Sequence, residues 1–138
     1  MYLVDTDVIS EPRKGEKANA GARAFFHNAV REDAALFVSV ITIGELRRGV
    51  ERIRHRGDRA QADRFERWLE RVVNDYADRL LPFDADTAQV WGRLRVPNPE
   101  NPIDKQIAAT ALIHDLAVVT RNTAHYEATG VRFLNPFT

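Results

Sequence analysis

The stretch Met1-Tyr2-Leu3-Val4-Asp5-Thr6-Asp7-Val8-Ile9-Ser10 decides how the rest of the chain is read. Its apolar start shows no polar alternation, which predicts a strand buried on both faces and ended by Asp5. Two further acids stand at junctions of the same kind. Glu45 is expected to open a helix after the apolar run Leu36-Phe37-Val38-Ser39-Val40, and Asp104 to lie in the first turn of a helix starting Asn101-Pro102-Ile103. In an open α/β sheet, ligands gather where the carboxyl ends of strands meet loops and helix starts. Three hard oxygen donors at one such rim describe a magnesium or manganese site, and with it phosphodiester chemistry.

Outward from that stretch, short apolar runs alternate with amphipathic segments, which predicts an α/β fold with a central parallel sheet of four to five strands flanked by helices. The expected strands are Tyr2–Val4, Leu36–Val40, Leu80–Phe83, Ala117–Thr120 and Val131–Leu134. Ile43, Leu46, Val50 and Ile53 recur at helical spacing, as do Phe65, Leu69, Val72 and Tyr76. Asp58 can cap the second of these helices, and Asp84 or Asp86 can start another. Asn101 suits an N-cap with Pro102 in the first helical position, and Gly130 a turn into the last strand. No repeat or long linker divides the 138 residues, so one domain over 1–138 is expected.

Each acid also has a plain structural explanation. Thr42-Ile43-Gly44-Glu45 reads as a capping box, Asp104 complements a helix dipole, and Asp5 suits a turn. Taken together these explanations weaken. A carboxylate beside Ile107, Ala108 and Ala111, and another at the end of a central strand, are costly unless something cationic compensates them. Asn122, just past Val118-Val119-Thr120, completes the set as a catalytic candidate, although its commonest use is as an N-cap. Thr120 could position water there. His125 stands one helical turn further on and is more often incidental, while His27, His55 and His114 show no ligand spacing.

Bulk properties narrow the classes. A composition of 44% hydrophobic and 29% charged residues is that of an ordinary globular domain. The absence of cysteine excludes disulfides and thiolate zinc sites and agrees with a cytoplasmic setting. Residues 1–10 lack the basic start and long apolar core of a signal peptide, and no apolar stretch approaches the roughly twenty residues of a membrane span. Net charge is zero, so attraction to a polyanion must come from a local patch. Arginines crowd the segment 47–71, at 47, 48, 52, 54, 56, 59, 64, 67 and 71. They form either a phosphate-binding surface or a solvated face laced with ion pairs.

At these residues the chain resembles the PIN domains of the VapC toxin family, in its FitB-like branch. The matching segments are Leu3–Ser10, Thr42–Gly49, Pro102–Ala111 and Val119–Thr123, with Phe83-Asp84, Thr87-Ala88 and Trp91-Gly92 between them. The resemblance implies a Mg2+- or Mn2+-dependent endoribonuclease, the toxin of a type II toxin–antitoxin system, homodimeric and neutralised by a small antitoxin. Asp5, Glu45 and Asp104 would then be the metal-binding acids. The departure is Asn122, where the family often has aspartate. In that reading Thr6, Arg47, Arg48, Arg52 and Thr120 contact the RNA.

Two other readings compete. A scaffold disabled at Asn122 would be a non-catalytic module that binds RNA or protein. Asp5-Thr6-Asp7 also resembles the aspartyl-nucleophile motif of haloacid-dehalogenase-like phosphatases, which need a lysine at the site and a late acidic pair. Lys105 follows Asp104, but no late pair exists.

Overall fold

The computed structural model describes all residues from Met1 to Thr138. Five parallel strands form one sheet in the order β3-β2-β1-β4-β5, with β1 Tyr2–Val4, β2 Leu36–Ser39, β3 Leu80–Leu81, β4 Ala117–Val119 and β5 Phe133–Leu134. β1 sits in the middle, with Leu3 facing Phe37 on one side and Val118 on the other. That position explains its unbroken apolar sequence, because both faces are covered.

The pleat divides the core in two. Val4 and Val119 point to a cluster with Val8, Leu46, Val50 and Leu69, whereas Leu3 and Val118 point to one with Ile107, Ala108, Ala111 and Tyr126. Successive strand residues face opposite sides, so each half of the sheet recruits its own helices. On the first side lie α1 Thr6–Ile9, α2 Ala20–Arg31, α3 Val40–His55 and α4 Arg59–Asp75. On the second side α6 Pro102–His114 packs on the sheet and pairs with α5 Ala85–Leu94.

Helix ends follow local chemistry, with corrections to the sequence reading. Asp58 and Asp84 cap α4 and α5 by accepting from the Gln61 and Thr87 amides, as expected. α3 begins five residues before Glu45, because the Ser39 hydroxyl accepts from the Ile41 amide and caps it there. Glu45 therefore lies in the second turn rather than at a helix start. Thr42 is fully buried with an unpartnered hydroxyl, so the expected capping box does not form. β2, β3, β4 and β5 are each shorter than their apolar runs. Asn101 does precede Pro102 at the start of α6, but its backbone is left-handed (φ 54°) and its side chain makes no capping bond. Gly130 adopts φ 79° where the chain turns back toward β5. No helix is long and apolar enough to cross a membrane.

Candidate active site

Asp5 leaves β1 and caps α1, so its carboxylate lies at the carboxyl end of the central strand. It is 4% exposed and fully engaged. Oδ1 accepts from the Thr6 amide at 2.8 Å, while Oδ2 accepts from the Thr120 hydroxyl at 2.8 Å and the Tyr126 hydroxyl at 3.0 Å. Thr120 in turn accepts from the Asn122 amide at 3.0 Å, which ties the loop after β4 to the same point. Burial pushes the Asp5 carboxyl above its usual range and the nearby Asp104 charge adds to this, while the three donors pull the other way.

Asp7, two residues into α1, was no candidate on sequence grounds but belongs to the same rim. Its Oδ2 accepts from the Arg121 amide at 3.1 Å, and its Oδ1 is buried with no partner. Burial, followed by the charge of Asp5, raises this carboxyl to about 6. Asp104, in the first turn of α6, acts on both neighbours through its charge. Its Oδ2 lies 2.5 Å from Nδ1 of His125. The histidine that sequence left as incidental is thus the closest polar partner of one of the main candidates. Tyr126, wholly buried, was missed altogether, and burial beside these acids raises its phenol far above the ordinary value.

The other candidates are less tightly drawn in. Glu45 is partly exposed, and its one charged neighbour is Arg48, at 4.0 Å. No hydrogen bond or ion pair links it to Asp5 or Asp104. Thr6 reaches Asp5 only through its backbone amide. The Asn122 side chain is exposed and the residue begins a 3-10 turn at Thr123–His125 without a capping bond. Arg47 is bound to Glu66 at 2.5 Å and Glu51 at 3.5 Å, so it belongs to an α3–α4 ion-pair network that also holds Arg54 and Asp63. For these two arginines the expected ion pairs are present. Arg48 and Arg52 line an outer cavity of α3 with Glu51, His55 and Arg56. Lys105 points away from the rim. Its ammonium is buried against the carbonyls of Asn98 and Glu100 in the proline-rich loop, which removes the lysine a phosphatase would need.

The rim fits a hard divalent cation in donor type and in charge. Asp5, Asp7 and Asp104 are carboxylates that repel one another, no lysine or arginine side chain contacts them, and Asp7 Oδ1 is an orphaned buried acceptor. No three acidic or histidine side chains converge on one point here, so the fit is one of chemistry and charge rather than of a closed coordination shell.

Fold and rim define the class, a parallel α/β protein with a carboxylate-lined site at its strand ends. The PIN domain description matches residues 2–131. Over 99% of both chains the sequence is 33% identical to Toxin FitB of Neisseria gonorrhoeae. It is 35% identical to the VapC ribonuclease Y4jK of Sinorhizobium fredii, covering 99% of this chain and 98% of that one. The solved structure of FitAcB from Neisseria gonorrhoeae superposes with a TM-score of 0.85 at 33% identity, covering 99% of this chain and 98% of that one. The structure of FitAB bound to the IR36 DNA fragment gives 0.80 at 30% identity, covering 100% and 96%. The chain belongs to the PIN-domain family, in the branch that holds the FitB and VapC toxins.

Proposed function

We propose that this protein is the ribonuclease toxin of a toxin–antitoxin pair, hydrolysing RNA phosphodiester bonds with magnesium or manganese at the rim of Asp5, Asp7 and Asp104. The observation that carries this reading is that Asp5 and Asp7, at the end of β1, and Asp104, at the start of α6, lie near enough to oppose one another's ionisation with no lysine or arginine side chain paired to them. A bare acidic rim repels a phosphate backbone, so a cation is needed for a phosphodiester to settle at the rim itself. When bound, the cation supplies Lewis-acid stabilisation of the phosphoryl oxygens and activation of water.

The chain's own residues have separable parts. In this reading Asp5, Asp104 and Asp7 would supply the oxygen donors, with Glu45 contributing from the second turn of α3. Thr120 and Tyr126 fix the Asp5 carboxylate so that it cannot rotate away. His125 orients Asp104 from outside, as polar partners of ligating groups commonly do. Asn122, exposed on the Thr120 turn, would hydrogen-bond water or the RNA in this reading.

Toxin FitB by its name and the FitAcB and FitAB assemblies by theirs support an antitoxin partner here; a homodimer and a cytoplasmic setting complete the proposal from the family resemblance alone. The metal is testable on the fold itself. EDTA-treated protein should melt at higher temperature in millimolar Mn2+ or Mg2+, by an amount that grows with the logarithm of concentration. A melting temperature indifferent to both ions, alongside the same indifference in Asp5→Asn, would sink the cation-dependent reading and favour a non-catalytic binding module.

A further inference from the structure

The geometry points to a second RNA contact away from the acids: the cavity on the outer face of α4 is a subsite for an unstacked nucleotide of single-stranded RNA. It rests on the ribonuclease reading above for the identity of the polymer. The cavity holds about 300 Å3 and is lined by Arg13, Gln61, Arg64, Phe65, Trp68 and Arg71. The α4 members fall at spacings of three and four, one face of the helix, and Arg13 reaches in from the 3-10 turn Pro12–Lys17.

Charge is the first argument. Five arginines, Arg47, Arg48, Arg54, Arg79 and Arg132, each meet an acid. Arg13, Arg64 and Arg71 meet none, and no acid lines the cavity. In a chain of zero net charge, three unpaired guanidinium groups around one cavity select an anion, and their planar forks suit phosphate.

The aromatic walls decide the class of anion. The Arg13 guanidinium lies 3.9 Å over the Phe65 ring, and Phe65 meets Trp68 edge-to-face at 6.1 Å. An acidic peptide would use the arginines alone. A splayed nucleotide uses every element present: phosphate on arginine, base on the Trp68 face or the Arg13 plane, and a base edge on the Gln61 amide. Reach allows it. Arg13 follows Asp5 by eight residues, four of them wound into α1, so its backbone lies within about 25 Å of Asp5. A strand with its scissile phosphate at the rim reaches the cavity a few nucleotides away.

The test uses the tryptophan in the cavity as reporter. Trp91, whose indole donates to the Pro102 carbonyl, is changed to Phe so that Trp68 is the sole tryptophan. The Trp91→Phe protein is titrated in EDTA with a 2′-O-methyl oligonucleotide, which is neither cleaved nor dependent on a cation. Saturable quenching of Trp68 is expected. The exposed pair Arg64→Ala/Arg71→Ala should weaken binding by about tenfold or more and flatten the salt dependence by one to two, at about 0.7 per phosphate contact on single strands. Absence of quenching, or equal affinity and salt slope in the double variant, overturns the subsite. So does equal affinity for a polyglutamate peptide, which would mark an acidic-peptide site. Cleavage by the parent with Mn2+ and an unchanged KM in the double variant overturns the subsite while leaving the ribonuclease reading intact. Quenching without any cleavage by the parent counts against the ribonuclease reading alone.

Discussion

Replacing Asp7 with Asn should stabilise the metal-free protein, and by an amount that depends on pH. Asp7 titrates near 6 in the folded chain against 3.8 for the unperturbed group, because burial and the Asp5 charge both oppose its ionisation. A folded-state pKa raised in this way favours folding while the carboxyl is protonated, below about 3.8. The benefit is lost as pH rises through about 6. At about pH 8 the ionised carboxylate therefore costs up to roughly 3 kcal/mol relative to the unfolded chain. Asn keeps an oxygen for the Arg121 amide and carries no charge. It also turns an amide NH2 toward the buried position of the orphaned Oδ1, which takes back part of the gain. The expected net effect is a stabilisation of about 1–2 kcal/mol at about pH 8, shrinking to nothing near pH 4. Urea melts in EDTA at both pH values measure it, and thermal melts should show a rise of about 3–8 °C at the higher pH. An Asp7→Asn protein that is less stable than the parent by the same amount at both pH values would refute the reasoning. The Asp7 charge would then be a satisfied part of the fold.

Three further outcomes follow from the same geometry. Tyr126→Phe removes one donor from a buried carboxylate and should cost about 1.5–3 kcal/mol at neutral pH, read from urea midpoints, with little change in m-value. Arg47→Ala should leave RNA cleavage unaltered and change stability by under about 1 kcal/mol, since its partners are solvent-screened acids; a large loss of cleavage would return Arg47 to the RNA surface. Gly21→Ala places a Cβ 2.2 Å from the Pro136 carbonyl and should destabilise by about 1–3 kcal/mol, with loosening of the last residues visible in hydrogen exchange.

Much of this architecture was legible because it is written in local patterns. β1 is legible to the residue because its apolar run is too short for a helix and Asp5 ends it. The Asp58 and Asp84 caps rest on hydrogen bonds that span three residues. The sequence places the start of α3 late for an equally local reason: Ser39 and Thr42 can each cap a helix ahead of Glu45, and burial of Thr42 inside α3 decides between them only in the folded state. The long-range part of the site was beyond reach. The Tyr126–Asp5 bond joins residues 121 apart, and the Arg47–Glu66 pair depends on how α3 and α4 cross. Asp7 could have been suspected, because the second residue of a helix capped by Asp5 is presented to the same strand end. His125 could not, since its pairing with Asp104 requires the 3-10 turn after β4 to fold back onto α6.

The structure also changes which variant makes a fair control. Relief of like-charge repulsion taken alone would make alanine at Asp5 neutral or stabilising. Removing the carboxylate would, however, strand the Thr120 and Tyr126 hydroxyls and uncap α1, so Asp5→Asn is the better choice.

The most direct measurement is cleavage of total cellular RNA by the purified, antitoxin-free protein in Mn2+, Mg2+ or EDTA, beside Asp5→Asn and Asp104→Asn. Discrete fragments that appear with either ion, and vanish with EDTA and in both variants, are what the account predicts. Equal cleavage in EDTA, or by folded Asp5→Asn, would contradict it.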